Sequence, residues 1–452
     1  MDALRMHLDF RNIWQQQSVN RRIFATMITV GGFTFVVNLA ATAKELMVAN
    51  QFGTGDVLDA FLIAFLLPSF AINVVVGSFN AALIPTFIHV RENEGIEKAQ
   101  QLFSSVTVWN TVVLVIVSVL LAMSSSFILP ILGSGFSPEK QALTRSIFFV
   151  LLPILTISGL GITWAAVLNA SERFALVAIS PTIKPIVTVV LLVVMSKIWG
   201  IYALAAGTVS GVVLEAGLLA WGVRQRGFYL VPRWYGLTPP MKKVINQYMP
   251  MVAGAFLMSS TSLVDQAMAA MLGAGSVSTL NYGGKALTLI LGIGSVSLST
   301  AVFPFFSRMV AASDWAGIRH TLKTYIYLIL LVTIPLTLIL VFFSEPIARV
   351  FFERGAFTSA DTWRVSQVQA LFLLQIPFYS LGILMVRLIS SLNMNHILMR
   401  VAIINLFFKI VFNYFFMQRL GVAGIALSTS LVYVVSFIYY SVILCKQIKT
   451  LG

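Results

Sequence analysis

The chain has 452 residues, 58% of them hydrophobic and only 10% charged, with a mean hydropathy of +0.91 and a formal net charge of +14. Soluble domains carry roughly 25% charged residues, so the composition excludes a soluble protein and identifies an all-α integral membrane protein. The single cysteine, Cys445, excludes an internal disulfide and a cysteine-based metal site, and His7, His89, His320 and His396 show no H-x-x-x-H spacing.

In chain order, 1–22 has no apolar stretch, so the first membrane helix is itself the expected insertion signal. A spanning helix needs about 20 mostly apolar residues. About twelve spans follow by that measure: 23–49, 57–90, 102–130, 142–168, 175–196, 201–223, 243–271, 276–307, 321–344, 362–391, 397–417 and 421–445. Several run long, which predicts tilt or kinks. With a cytoplasmic N-terminus, the outer loops hold only Lys140, Lys197, Arg349, Arg354 and Arg419 of the 30 basic residues. Most of the others fall in inner segments, as the positive-inside rule requires. The basic balance therefore reads as topology, with no nucleic-acid partner, and both termini are expected in the cytoplasm.

The longest polar break, RQRGFYLVPRWYGLTPPMKK, holds five basic residues and three prolines. It divides the chain into a cytoplasmic segment 1–22, a six-helix lobe 23–223, a linker 224–242, a second six-helix lobe 243–445 and a tail 446–452. Sequence symmetry agrees with that division. NAALIPTF (80–87) resembles STAVFPFF (299–306), SGFSP (134–138) resembles GAFTS (355–359), and GIYALAAGT (200–208) resembles GVAGIALST (421–429). All three pairs keep nearly one offset. Two halves of like orientation make a parallel repeat, an arrangement that places a substrate path between the halves.

Ionisable groups at membrane depth cost free energy and usually face a cavity. Lys44 and Glu45 end the first span and Asp59 opens the second, flanking a Gly-rich turn. They read either as a charged cluster at a cavity mouth or as a helix-end lysine snorkelling to the interface beside a local ion pair. Lys285 lies inside YGGKALTL, where it reads an anionic head group or is solvated near the outer surface. Asn405 and Lys409 are four apart and share a helix face. Lys184, Glu215 and Arg387 are further cavity candidates with no motif to rank them. No G-x-x-x-x-G-K-[ST] run exists, which speaks against ATP hydrolysis. No triad or paired-carboxylate constellation stands out, so an enzyme is not expected, nor is a cofactor.

Asp59-Ala60-Phe61 with Ala64-Phe65, Leu67-Pro68 and Ile84-Pro85, then GAGSVSTLNYGGKAL (273–287) and FFERGAFTSADT (351–362), resemble the MurJ/MviN lipid II flippase family. That family sits in the multidrug/oligosaccharidyl-lipid/polysaccharide exporter superfamily. The resemblance covers roughly 40 to 445. It implies a V-shaped, two-lobed transporter working by alternating access in the bacterial inner membrane. Its substrate would be an undecaprenyl-diphosphate-linked sugar, either lipid II or an exopolysaccharide unit. The resemblance also implies a set of site residues. Lys44-Glu45 falls on the family's Arg-Asp pair, Gly284-Lys285 on its Asp-Arg, and Asn38 on a further arginine. Lys44, Glu45, Asp59, Lys285 and Arg387 are the expected substrate-binding residues. Asp265 and Asn405 match the family's cation site, and Lys409 falls on its second aspartate, so a tethered ammonium would pair with Asp265 and either stand in for the coupling ion or form a structural buried pair. Typical members also add two helices beyond these twelve spans.

Two other readings compete. A cation-coupled multidrug exporter of the same superfamily would need acids in its cavity, whereas the spans here offer Lys44, Lys184, Lys285, Arg387 and Lys409 against Glu45, Asp59, Glu215 and Asp265. A non-transporting scaffold would not need so many ionisable residues. The expected partners are therefore an anionic lipid-linked oligosaccharide and membrane lipid, with the protein acting as a monomer.

Overall fold

The computed structural model describes residues 31–171 and 173–451, without the side chains at 80, 81, 293–301 and 448–451. The expected segment 1–22 and the start of the first span, 23–30, lie outside the described residues.

Thirteen helical segments follow one another. They are α1 (Gly31–Phe52), α2 (Asp56–Asn93), α3 (Ile96–Leu132), α4 (Pro138–Ala170), α5 (Phe174–Trp199), α6 (Ile201–Gln225) and α7 (Pro239–Ala270). After them come α8 (276–311), α9 (Trp315–Phe342), α10 (Ser344–Phe352), α11 (Ser359–Ser391), α12 (His396–Leu420) and α13 (Val422–Leu451). All but the short α10 correspond to the twelve spans read from the sequence. Ten of the described helices are long and apolar enough to cross a membrane. Side chains such as Met123, Phe127, Ile198 and Phe342 are strongly exposed, as expected where acyl chains rather than water surround the helix.

Proline and glycine shape these helices. Pro68 and Pro85 flank a π-helical stretch, Ile72–Gly77, inside α2. Pro lacks the N–H that would close the helical bond, and a π turn absorbs the mismatch. Gly284 breaks α8 so that Lys285 starts its longer part.

The repeat is visible in the backbone. Gly200 joins α5 to α6 at φ 53°, ψ −128°, and Gly421, 221 positions later, joins α12 to α13 at φ 58°, ψ −135°. Both need the positive φ that glycine adopts without strain. Ser137 caps α4 through the Lys140 N–H, and Thr358, again 221 later, caps α11 through the Asp361 N–H, while the Thr358 N–H donates in return to the Asp361 carboxylate. Such caps satisfy helix N–H groups that have no partner within the helix.

The chain forms two compact units. One comprises the residues up to Glu45, Phe79–Ser118 and Pro153–Tyr248. Its interior includes Phe87 and Phe103 packed against Phe228, and Asn110 donating to Thr163 at 2.8 Å. The expected linker is held to α3 here. Ser104 Oγ donates to the Arg233 carbonyl at 2.9 Å, and the Tyr235 N–H donates to Ser105 at 3.1 Å.

The other unit comprises Leu46–Ser78, Val119–Leu152 and Met249–Gly452. It therefore contains the α1–α2 and α3–α4 turns of the first half together with the second half. Its core runs through Val302, Phe306, Leu384, Leu388, Val401 and Leu444. Within it, two turns seat reciprocally. A side chain at Gly135 would overlap Ala270 and Met271, and one at Gly355 would overlap Asn50. Gly355 lies 220 positions after Gly135, and Met271 lies 221 after Asn50. Each half thus places the same glycine against the same helix end of the other, the pattern of a twofold, self-complementary contact.

Candidate functional site: a charged clasp and a buried ammonium

The reciprocal turns carry the first charged cluster. The first N–H groups of a helix lack intrahelical partners, and the helix dipole makes them attractive to an anion. Asp59, fully buried, takes that place for α8. One carboxylate oxygen accepts from the Gly275 N–H at 2.8 Å and the other from the Ser278 N–H at 2.7 Å. Lys140, buried at the start of α4, lies 3.1 Å from Asp59 and 2.6 Å from Asp56, with its ammonium over the Phe136 ring. Thr54 donates to Asp361, and the Ala356 N–H donates to the Asn50 carbonyl at 2.8 Å. A helix cap, an ion-pair network and two backbone seats therefore fasten first-half turns to second-half turns.

Sequence reasoning singled out Asp59 but treated Lys140 as a topology charge. Lys140 lies 81 positions from Asp59, and no local pattern links them. Its proximity to the cap Ser137 was the only available signal.

The second cluster lies between α7, α12 and α13. Lys409 Nζ is 2.9 Å from Asp265 and also donates to Thr429. Asn413 donates to the other Asp265 oxygen at 2.7 Å. Lys409 is almost completely buried, at 2% side-chain exposure. The structure thus brings together Asp265 and Lys409 but not Asn405, whose carbonyl accepts from Ser436 at 2.7 Å. Asn413, missed from sequence, lies one further turn along the face of Lys409. In chemical terms, an ammonium fixed by carboxylate and hydroxyl oxygens occupies the kind of oxygen-lined space that suits a small cation.

The remaining candidates are separate. Lys44 pairs with Glu45 at 2.8 Å in α1, with 31% and 19% side-chain exposure. Lys285 is half-buried at the kink of α8. Arg387, half-buried in α11, has its guanidinium 5.8 Å from the Phe303 ring centre. Lys184 and Glu215 meet at 3.0 Å between α5 and α6.

Comparison with known proteins places this arrangement. The family model "Lipid II flippase MurJ" matches residues 48–452. A "Probable lipid II flippase MurJ" from Synechocystis sp. is 25% identical over 415 residues, covering 88% of this chain and 76% of that protein. One from Rhizobium meliloti is 29% identical over 365 residues, covering 78% and 68%. Among solved structures, "Lipid II flippase MurJ, inward closed conformation" superposes with a TM-score of 0.79 at 23% identity, covering 94% of this chain and 90% of that one. An inward-facing multidrug resistance MATE family transporter of the MOP superfamily gives 0.70 at 15% identity, covering 94% and 98%. These structures share the fold, while the family model singles out one family. With that match running from the end of α1 through α13, the chain belongs to the lipid II flippase MurJ family, multi-pass transporters of the bacterial inner membrane that act on a lipid-linked precursor and are not enzymes.

Proposed function

We propose that this chain flips an undecaprenyl-diphosphate-linked sugar from the cytoplasmic to the outer leaflet by alternating access, that Lys44, Lys285 and Arg387 meet its anionic head group, and that Glu45 takes part by holding Lys44. The supporting observation is how the structure treats charge within the spans. Each carboxylate is engaged by a protein partner, and only Glu45, paired with Lys44, keeps as much as 19% of its side chain exposed. Asp59 caps α8, Asp265 is held by Lys409 and Asn413, and Glu215 is held by Lys184. The cations Lys44, Lys285 and Arg387 all keep exposed surface. A cationic drug would need the opposite pattern, whereas a diphosphate leaving water needs compensating positive charge.

Asp59 acts in this reading as a gate residue. The clasp of Asp59, Lys140 and the α8 N-terminus closes one end of the path and opens to release the lipid. Lys409 acts as a tethered coupling cation, so no free sodium ion is required. The repeat units serve as two six-helix lobes, 23–223 and 243–445, joined by 224–242, with both chain termini in the cytoplasm and the protein working as a monomer.

The test is flipping in vesicles at matched protein abundance. Lys44→Gln and Lys285→Gln should each reduce transport by roughly tenfold, the worth of one charge-assisted contact. The arginine replacements should retain more activity. Full activity in the double Gln variant would refute the anionic head-group reading.

A further inference from the structure

The two halves supply an internal comparison. In the second half, Ser436 of α13 donates to Asn405 of α12 at 2.7 Å. The residues 221 positions earlier are Glu215 of α6 and Lys184 of α5, which also meet, at 3.0 Å. The glycine turns joining the two helix pairs have matching backbone angles. One rung of the repeat is thus bridged by a neutral pair in one half and by an ion pair in the other. The neutral version shows that packing at this rung does not require charge. Removing two charges from water often costs more than their attraction returns.

Depth sharpens the point. Lys184 lies ten residues past Phe174 in α5, so at ~1.5 Å per residue it is about 15 Å along the helix. That is half of a hydrocarbon core roughly 30 Å thick. Glu215 is likewise central in α6. Gly211 admits the α5 backbone, since a Cβ there would lie 2.8 Å from the Lys184 Cα. Even so, the Lys184 side chain is 41% exposed and that of Glu215 only 14%. An ammonium exposed to acyl chains at mid-depth is costly, which favours water over lipid on its open side.

Among the described residues of the two helices and of the α4 segment that packs on them, no other charge lies close. The Pro153–Ala170 part of α4 packs on α6 and carries no ionisable side chain. Along α5 and α6 the other titratable residues are Lys197, Tyr202 and Arg224. Each is at least nine positions, about 13 Å, from the pair member on its own helix.

We propose that Lys184 is a further anion-binding residue of the transport path, held by Glu215 when the path is empty and transferred to a phosphate oxygen of the transported lipid. This rests on the anionic-lipid reading above. No bond is made or broken. One oxygen partner replaces another, and the displaced Glu215 carboxylate turns to the water that Lys184 already faces.

The experiment measures binding of a short-chain polyprenyl diphosphate, and of the matching polyprenyl alcohol, to the purified full chain in detergent. K184N/E215S installs the neutral pair of the second half. It should melt within a few degrees of the parent, bind the diphosphate about tenfold more weakly and bind the alcohol unchanged. Glu215→Gln should bind the diphosphate more tightly, because it removes the competitor. A purely structural pair predicts no such gain. Parent-like diphosphate binding by K184N/E215S, weaker binding by Glu215→Gln, or failure of K184N/E215S to fold would each overturn the inference and leave the anionic-lipid reading standing. A parent that binds diphosphate no better than alcohol would overturn both.

Discussion

Replacing Asp59 by Asn removes one charge and almost no volume, which makes it a clean probe of the clasp. The carboxylate currently receives two backbone N–H groups, at 2.8 and 2.7 Å, and the Lys140 ammonium at 3.1 Å. An amide has one oxygen. It can keep one N–H bond, and its NH2 must then confront either the other N–H or the ammonium. A charge-assisted bond is worth about 1.5–3 kcal/mol, so losing one together with the ion pair should cost the fastened arrangement about 3 kcal/mol. By the factor of ten per 1.4 kcal/mol, that raises the open population by roughly two orders of magnitude. Ser278, fully buried beside Asp59, can report opening. In a Cys445→Ser background, Ser278→Cys should react with a maleimide about a hundredfold faster when Asp59→Asn is present, provided labelling follows the open fraction. Asp56→Asn should change the rate much less, because Asp56 is 59% exposed and its ion pair with Lys140 is weakened by water. A rate unchanged by Asp59→Asn would refute the claim that this carboxylate holds the turns together.

Further outcomes concern the buried pair and the orientation of the chain. Lys409→Met alone should destabilise the protein by about 3–5 kcal/mol by leaving Asp265 buried without its charge partner. Lys409→Met with Asp265→Asn should recover most of that melting temperature, and native transport in vesicles should be equal with and without sodium. A strict sodium requirement would remove the tethered-cation role. For topology, position 357 is a poor reporter because Phe357 is buried among Tyr282 and Phe352. Ala360→Cys, exposed at the start of α11, should instead be labelled by an impermeant reagent only from outside the cell, and labelling only from the cytoplasm would invert the orientation.

The spans were readable because twenty-residue apolar runs have few alternative fates, and the observed helices differ from the expected ones mainly in their last turns. The repeat was readable because its turns need particular residues. Glycine at 200 and 421 and a hydroxyl cap at 137 and 358 survive where lipid-facing residues drift. Charge partners were harder. Asp265 and Lys409 are 144 positions apart, and their meeting was expected only through the family resemblance. Asn405 was grouped with Lys409 on i,i+4 spacing, but the same spacing on the other side of Lys409 also fits Asn413; the structure gives Asn413 to Asp265 and Asn405 to Ser436, a choice that spacing alone does not make. Lys140 was invisible as a partner of Asp59 because a basic residue in a short loop already had a sufficient explanation.

The mutual seating of Gly135 and Gly355 has an entropic consequence. Had the two halves been separate molecules, so few backbone seats and one carboxylate cap would be too weak to hold them against the loss of translational freedom. Carried on one chain, the two faces meet at an effective concentration that can reach the millimolar range, and modest contacts suffice. Under the gate reading proposed above, weakness becomes useful: a closure held by covalent proximity can be undone by the energy of a single ligand contact, then re-form without a search.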